Sequence, residues 1–195
     1  MYSKRINNTR FNILKEDITK VKSDVIFTYT TPTLTEGDEV FVNIHREAGS
    51  NLFKDCQLYL TQYGKTQNFT TVMDSGSVII TNSGFLQNTR LVCHIVLNKV
   101  LFPSSLSNAF SSLSGVEFIR KFSYPEISEV IYGKVSDKDI QEFYNILIRF
   151  SKQYNIKEIN IVCSDDESLI QYKKVFTNIT STWYEKILIK IFGEK

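Results

Sequence analysis

The chain has 195 residues, 42% of them hydrophobic and 23% charged, which is typical of one soluble globular domain with a sizeable core. Its formal net charge of +2 is too small to indicate nucleic-acid binding, because such proteins usually present a clustered basic face. Three cysteines that lie far apart in apolar contexts argue against a disulfide framework and against a cysteine-spaced metal site.

The N-terminal region is polar and lacks the apolar core of a signal peptide. Elsewhere no stretch approaches the roughly 20 apolar residues that cross a bilayer. Lys4, Arg5 and Arg10 gather near the N-terminus, and this pattern favours a short solvated arm. We therefore expect a cytoplasmic protein with no membrane segment, no cofactor and no metal, and the sequence leaves its oligomeric state open.

The first third of the chain predicts two strands and a helix. Residues 10–14 alternate apolar and polar side chains, and residues 24–31 are rich in β-branched and aromatic side chains. After a loop at 32–39, apolar residues recur every fourth position and predict a helix that Gly49 interrupts. These residues are Val40, Ile44, Ala48 and Leu52. A strand, a loop and a helix N-terminus in this order commonly bind an anionic ligand.

The rest of the chain predicts further helices and strands in alternation. Predicted strands span 76–81, 90–97, 122–124 and 156–163. Predicted helices span 51–63, 106–113, 137–154 and 164–176, and a last helix begins near 182, where a strand is the alternative. Because strands and helices alternate along most of the length, the fold class is α/β with a covered sheet.

Several motifs, taken in order, resemble the macro domain family over about residues 11–176. They are Glu16-Asp17-Ile18-Thr19, Ile44-His45-Arg46-Glu47-Ala48-Gly49, Gly76-Ser77-Val78-Ile79-Ile80-Thr81-Asn82-Ser83-Gly84-Phe85 and Phe122-Ser123-Tyr124-Pro125-Glu126-Ile127-Ser128. The resemblance implies one macro-like domain over 1–195, a three-layer α/β/α sandwich with a central mixed sheet. Residues 177–195 would form a C-terminal helix packed on it.

The resemblance also implies a cleft that binds ADP-ribose, an adenine nucleotide or an ADP-ribosylated protein. Asp17 stands at the family position that hydrogen-bonds the adenine amino group, and Ile18 would line the same pocket. A structural role for Asp17, as a cap of the following turn, is an equal alternative. His45 and His94 match family positions that pack inside the fold, which favours buried imidazoles over ligands or bases.

Other positions depart from the family pattern, and they fall on its binding loops. Thr31 replaces the family's ribose-contacting, catalytic Asn, and Phe41 replaces the Asp of its hydrolytic members. Phe41 can neither position a water nor accept a proton, so the family's hydrolysis has lost its chemistry. The ligand-binding residues implied by the whole resemblance are Asp17, Ile18, Thr31, Gly37, Val40, Phe41, Ser128, Val130, Ile131 and Tyr132.

Three carboxylates, Asp38, Glu39 and Glu129, fall where a diphosphate would lie. One carboxylate about 5 Å from a phosphate costs on the order of 3 kcal/mol at an effective dielectric near 20, whereas a helix N-terminus returns about 0.3–1 kcal/mol. Tight binding of unmodified ADP-ribose is therefore not expected. A divalent cation held by these three residues is a lesser alternative.

The sequence thus leaves three hypotheses. The first is a non-catalytic binding module with a diverged ADP-ribose or adenine-nucleotide cleft. The second is an interaction scaffold whose cleft is closed by Phe41, Val42 and Val130. The third is an ADP-ribosyl hydrolase that uses non-standard residues.

Overall fold

The computed structural model describes residues 1–98, 100–113, 116, 118–127 and 129–181, without the side chains of Val130 and Ile131. The strands are β1 (Tyr2–Ile6), β2 (Thr9–Lys15), β3 (Val25–Thr30), β4 (Lys65–Gln67), β5 (Thr70–Val72), β6 (Val78–Asn82), β7 (Leu91–Val96), β8 (Lys121–Pro125) and β9 (Glu158–Cys163). The helices are α1 (Glu39–Ala48), α2 (Ser50–Tyr63), α3 (Phe102–Leu113), α4 (Glu129–Tyr132), α5 (Asp137–Gln153) and α6 (Asp166–Thr180), with a 3₁₀ turn at Ile18–Lys20.

Seven strands form one mixed sheet in the order β1-β2-β9-β8-β3-β7-β6. The five inner strands run parallel, and β1 and β6 pair antiparallel at the two edges. Inner strands are buried on both faces and read as nearly continuous apolar runs, which is why 24–31, 90–97 and 156–163 were recognisable in the sequence.

Helices cover the sheet on both faces and complete the three-layer α/β/α sandwich that the sequence predicted. On one face, α1 packs Ile44 and Ala48 against Ile26 and Val92, and α2 continues the layer. The larger apolar cluster fills the other face, where α3, α5 and α6 pack on alternate residues of the same strands. Since side chains alternate across a strand, one apolar run supplies both layers.

Helix α5 shows how local sequence determines these elements. Ser136 and Asp139 form a reciprocal capping box, so two of the otherwise unpaired amides at the helix start are satisfied. Ile140, Phe143 and Leu147 follow at helical spacing and are fully buried. The predicted helix at 137–154 is therefore confirmed.

The prediction of a short solvated arm at the N-terminus is wrong, because residues 2–6 form strand β1. Asn7, with φ of 54°, turns the chain so that β1 pairs antiparallel with β2. Its alternating side chains put Tyr2 and Ile6 against the large apolar cluster and leave Arg5 exposed. In this register Arg5 lies directly opposite Arg10.

Other differences from the sequence predictions are small. The hairpin β4–β5 was not predicted, since its three-residue strands carry little apolar pattern. The loop predicted around 125–135 contains the short helix α4, and α6 continues to Thr180. The last predicted helix, from 182, lies outside the described residues. Within the described ranges no helix has both the length and the apolar character to span a membrane.

Gly84 brings the turn after β6 against the end of α1. Its φ is 60°, and a Cβ there would lie 2.3 Å from the carbonyl oxygen of Ala48. The Phe85 amide donates to that same oxygen at 3.0 Å. Glycine is needed here for its backbone conformation and for the close approach.

We predict that Gly84→Ala destabilises the fold by about 2–5 kcal/mol, the sum of left-handed strain and steric overlap. Gly133→Ala is the matched control, because Gly133 has φ of 82° but no atom within 4 Å of an added Cβ. That variant should lose only about 1–2 kcal/mol. Urea unfolding of both variants measures the difference, and equal losses would show that the Ala48 contact is unimportant.

Candidate functional site

The parallel strands β2, β9, β8 and β3 all end at one edge of the sheet, the usual ligand edge of α/β proteins. Two neighbouring cavities lie along this edge, between the segments that follow these strands. They share Glu39, Val40 and Ser164. Together they form one cleft.

The larger cavity has a volume of about 410 Å³. Its walls come from the ends of β2, β8 and β9 and from the start of α1. The lining residues are Lys15, Glu16, Asp17, Ile18, Glu39, Val40, Asn43, Pro125, Val162, Cys163 and Ser164. Apolar walls with a few charged groups at this volume suit a small organic ligand.

Asp17 lines the larger cavity and also caps the 3₁₀ turn. Its Oδ1 accepts hydrogen bonds from the Thr19 amide at 3.0 Å and the Thr19 hydroxyl at 2.7 Å. Burial alone would raise the pKa of Asp17, but the bonds from Thr19 outweigh it and lower the pKa below its ordinary value. Oδ2 has one distant partner, Lys20 Nζ at 3.6 Å. The carboxylate therefore stays ionised and keeps acceptor capacity beside the cavity.

The second cavity, of about 270 Å³, is acidic. Its charged lining residues are all carboxylates, namely Asp38, Glu39, Glu126, Glu129 and Asp165. Val40, Ile127, Val135, Ser164, Ser168, Gln171 and Tyr172 complete the wall as the structure describes it. The sequence had placed three of these acids at the cleft, and the topology adds Glu126 and Asp165 because both follow neighbouring strands.

Four of these acids accept hydrogen bonds from backbone amides. Asp38 caps α1 through the Phe41 amide at 2.9 Å, and Asp165 caps α6 through the Ser168 amide at 2.8 Å. Glu126 binds the Ser164 amide at 2.9 Å, and Glu129 binds the Val135 amide at 3.0 Å. The bond from Ser168 lowers the pKa of Asp165, which keeps it ionised.

Glu39 differs from these four carboxylates. It is exposed, and in the described part of the chain it makes no hydrogen bond or ion pair. It lines both cavities, so its charge lies at their junction.

The loop after β3 folds back against the end of that strand. Gly37 bridges to Thr30, and a Cβ on Gly37 would lie 2.5 Å from Phe41 and 2.7 Å from the Tyr29 carbonyl oxygen. Phe41 is 3% exposed and packs on His45 with 4.1 Å between the ring centroids. Neither Gly37 nor Phe41 is among the described lining residues of the cleft.

Two further predicted site residues lie away from the cavities. The Thr31 hydroxyl lies 3.0 Å from that of Thr33, and Tyr132 is buried with its hydroxyl donating to Asp139 at 3.1 Å. Burial and that bond raise the pKa of Tyr132 to about 12. Ser128 and the side chains of Val130 and Ile131 lie outside the described residues. Asp17, Ile18 and Val40 are thus the predicted residues that the structure brings to the cleft.

His45, Cys56 and His94 meet beneath α1 and α2, with ligand atoms within 4.8 Å of one another. Sequence spacing gave no sign of this group, because Cys56 and His94 are 38 residues apart. Burial lowers the pKa of His45 to about 4 and that of His94 to about 3, and raises that of Cys56 to about 12. At neutral pH the group holds two neutral imidazoles and a thiol. It offers no thiolate nucleophile.

Comparison with known proteins gives sequence relatives along most of the chain. An O-acetyl-ADP-ribose deacetylase of Cronobacter turicensis is 28% identical over 178 residues, covering 85% of this chain and 95% of that protein. A macro domain-containing protein of Listeria monocytogenes is also 28% identical, over 179 residues, covering 85% and 96%. No family model matches.

Solved structures show the same fold. The Oceanobacillus iheyensis macrodomain with ADP superposes with a TM-score of 0.78 at 24% identity, covering 95% of this chain and 97% of that one. The Trypanosoma brucei macrodomain in complex with ADP-ribose gives 0.66 at 17% identity, covering 85% and 68%.

We predict that stability falls as the pH drops below about 6.5, the ordinary pKa of an unfolded histidine. Between about pH 6.5 and 4 the unfolded chain binds protons that folded His45 and His94 do not, since burial lowers their folded pKa values. Each should cost up to about 1.4 kcal/mol per pH unit. Urea unfolding between pH 4.5 and 8 measures the slope, which His45→Gln should reduce by about one proton. A flat profile over this range would contradict the prediction.

Proposed function

We infer that this chain, a divergent member of the macro domain family, is a binding module that takes the adenosine part of an ADP-ribose-type ligand and does not turn it over. One observation carries the proposal. The larger cavity is open, with Asp17 and Ile18 on its wall at the positions that the family uses for adenine. Relatives in the same fold carry ADP or ADP-ribose.

The chemistry of the larger cavity fits a nucleoside. An adenine ring carries an exocyclic amino group that donates hydrogen bonds. Oδ2 of Asp17 can accept such a bond while Oδ1 continues to cap the turn. Ile18, at 3% exposed, and Val162, at 5%, supply apolar surface for the ring.

The acidic cavity argues against a diphosphate beyond the nucleoside. Its five carboxylates face no cationic side chain among the described lining residues. One backbone amide at the start of each helix, that of Phe41 in α1 and that of Ser168 in α6, already binds Asp38 or Asp165 and is not free for a phosphate oxygen. We propose that adenosine binds better than ADP or ADP-ribose because it leaves this cavity to water.

The absence of turnover rests on two substitutions. Thr31 and Phe41 stand where the family places its catalytic Asn and Asp, and the Phe41 ring lies in the core against His45. A phenyl ring cannot act as a general base or position a water.

A hydrolase is the second candidate, since several relatives are named O-acetyl-ADP-ribose deacetylase. It would need a base beside the bound ribose from residues other than Thr31 and Phe41. The closed-cleft scaffold is less well supported, because Phe41 lies in the core and Val42 is 55% exposed, outside both cavity linings.

We also propose a cytoplasmic location. The three cysteines are free and buried, as expected in a reducing compartment. The partner would be a free adenine nucleotide or an ADP-ribosylated protein, held through its adenosine group and with its phosphates outside the acidic cavity, and no cofactor would be needed.

Calorimetry should show adenosine binding more tightly than ADP, and ADP at least as tightly as ADP-ribose. Asp17→Asn should weaken adenosine roughly tenfold, because its amide can still cap through oxygen but replaces the second acceptor with a donor. An unchanged melting temperature would show that the cap survives. If Asp17→Asn left adenosine binding unchanged, Asp17 would not be part of the site. If none of the three ligands released or absorbed heat, the proposal would be wrong.

Glu39→Gln should strengthen ADP binding by roughly fivefold, equivalent to about 1 kcal/mol for one partly screened charge, without changing adenosine affinity. Glu36→Gln is the matched control, since Glu36 is an exposed acid of the same loop that lines neither cavity. Equal gains from both variants would indicate a general charge effect rather than contact at the cavity junction.

The wild-type chain should release no acetate from O-acetyl-ADP-ribose above the uncatalysed rate, measured by chromatography. Phe41 leaves no base at the family position. Turnover that survives Asp17→Ala but is lost in Thr31→Ala would instead establish the hydrolase.

A further inference from the structure

The amino-terminal edge of the sheet, opposite the cleft, carries a basic hollow. This hollow is shallow and open to solvent, has a volume of about 390 Å³, and is lined by Arg5, Asn8, Arg10, Lys157 and Glu158. Arg5 and Arg10 are direct cross-strand partners of β1 and β2, and Arg10 is aligned with Glu158 on β9. All three therefore stand on one face of the sheet.

The cations of this basic hollow are poorly compensated. In the described part of the chain, the guanidinium groups of Arg5 and Arg10 make no hydrogen bond or ion pair, and both residues are exposed. Lys157 Nζ donates to Asn155 Oδ1 at 2.8 Å, a neutral acceptor. Glu158 is the one acid in the lining, and its Oε1 lies 3.8 Å from Lys121 Nζ outside the hollow.

Like charges directly opposite each other destabilise an antiparallel pair. Exposed cations on an edge strand also discourage edge-to-edge pairing, and that role needs no ligand. Preventing edge-to-edge pairing does not require a concave surface. Here, however, the side chains of two arginines, an asparagine and a lysine border one hollow. Guanidinium forks match the geometry of phosphate oxygens and bind them in pairs.

We propose that the basic hollow is a binding site for a small phosphate oxyanion, with Arg5 and Arg10 as the two principal contacts. Neighbouring strands lie about 4.8 Å apart, so both side chains can reach one phosphate or diphosphate group. The Asn8 amide and Lys157 add donors at the rim.

This site is independent of the cleft. Arg10 and Lys15 lie near opposite ends of β2, and five residue steps at about 3.3 Å each separate them by roughly 17 Å. The acids of the cleft repel the anion that the hollow attracts. If the cleft did not bind adenosine, anion binding at the basic hollow would therefore be unaffected.

Amide chemical-shift mapping with inorganic pyrophosphate at low salt tests the proposal. We expect saturable shifts in residues 5–10 and 157–158, no shifts at Asp17, and at least tenfold weaker binding in Arg5→Gln/Arg10→Gln. Lys54→Gln/Lys152→Gln is the matched control, because it removes two exposed charges on α2 and α5 outside the hollow and should bind as wild type does. The melting temperature of the arginine variant should stay level or rise, since the like-charge pair is gone.

Three results would overturn the site. If both double variants bound pyrophosphate equally weakly, the binding would reflect the net charge of the protein rather than a site. Equal shifts with sulfate at the same ionic strength would show no preference for phosphate. Affinity for a single-stranded oligonucleotide that exceeds pyrophosphate and grows with length would make the surface a nucleic-acid contact instead.

Discussion

Hydrogen bonds from backbone amides hold the acidic side chains of the cleft in place. A helix start leaves amides unpaired, and in a phosphate site the ligand satisfies them. Here the protein itself satisfies one such amide at each of two helix starts, with Asp38 at α1 and Asp165 at α6. Glu126 and Glu129 do the same for two loop amides. The contacts that cap these helices are thus the same contacts that, under the proposed function, disfavour phosphate.

This arrangement explains why one end of the cleft differs from the other. Asp17 also caps a turn, but through one oxygen, so its carboxylate remains available to the larger cavity. At the acidic cavity, capping fixes the charges in place without neutralising them. Glu39 alone among the five has no hydrogen bond or ion pair in the described structure, so it has little role in holding the cleft together.

The sequence predicted the inner strands and long helices because burial on two faces or one face leaves a clear period in the residues. Elements that form by strand pairing, without a clear apolar face to bury, were not predicted. Strand β1 carries Lys4 and Arg5 between apolar residues, so charge concealed its alternation. Asp17, Ile18 and Val40 were placed at the cleft by resemblance alone. Glu126 and Asp165 could not be, because their place at the cleft depends on which strands are neighbours.

Phe41 illustrates the same limit at the level of a single residue. Its identity gives an apolar side chain at this position, but the direction of its ring follows from packing. An apolar side chain at the start of α1 gains more by burial than by lining a wet cleft. The ring lies on His45, which in turn lies 5.6 Å from the His94 ring. The Phe41 ring thus joins the loop to a neutral pair of histidines, half-buried His45 and buried His94.

The net charge does not describe how the charges are distributed, because charges of opposite sign are separated along the strands. The carboxyl-terminal edge gathers acids around a cavity, and the amino-terminal edge gathers arginines and a lysine around a hollow. A total of +2 conceals both. Over the strand length of roughly 17 Å these fields are largely screened from each other at physiological salt, where the Debye length is about 8 Å. A substitution that changes the charge at one edge should therefore have little electrostatic effect at the other.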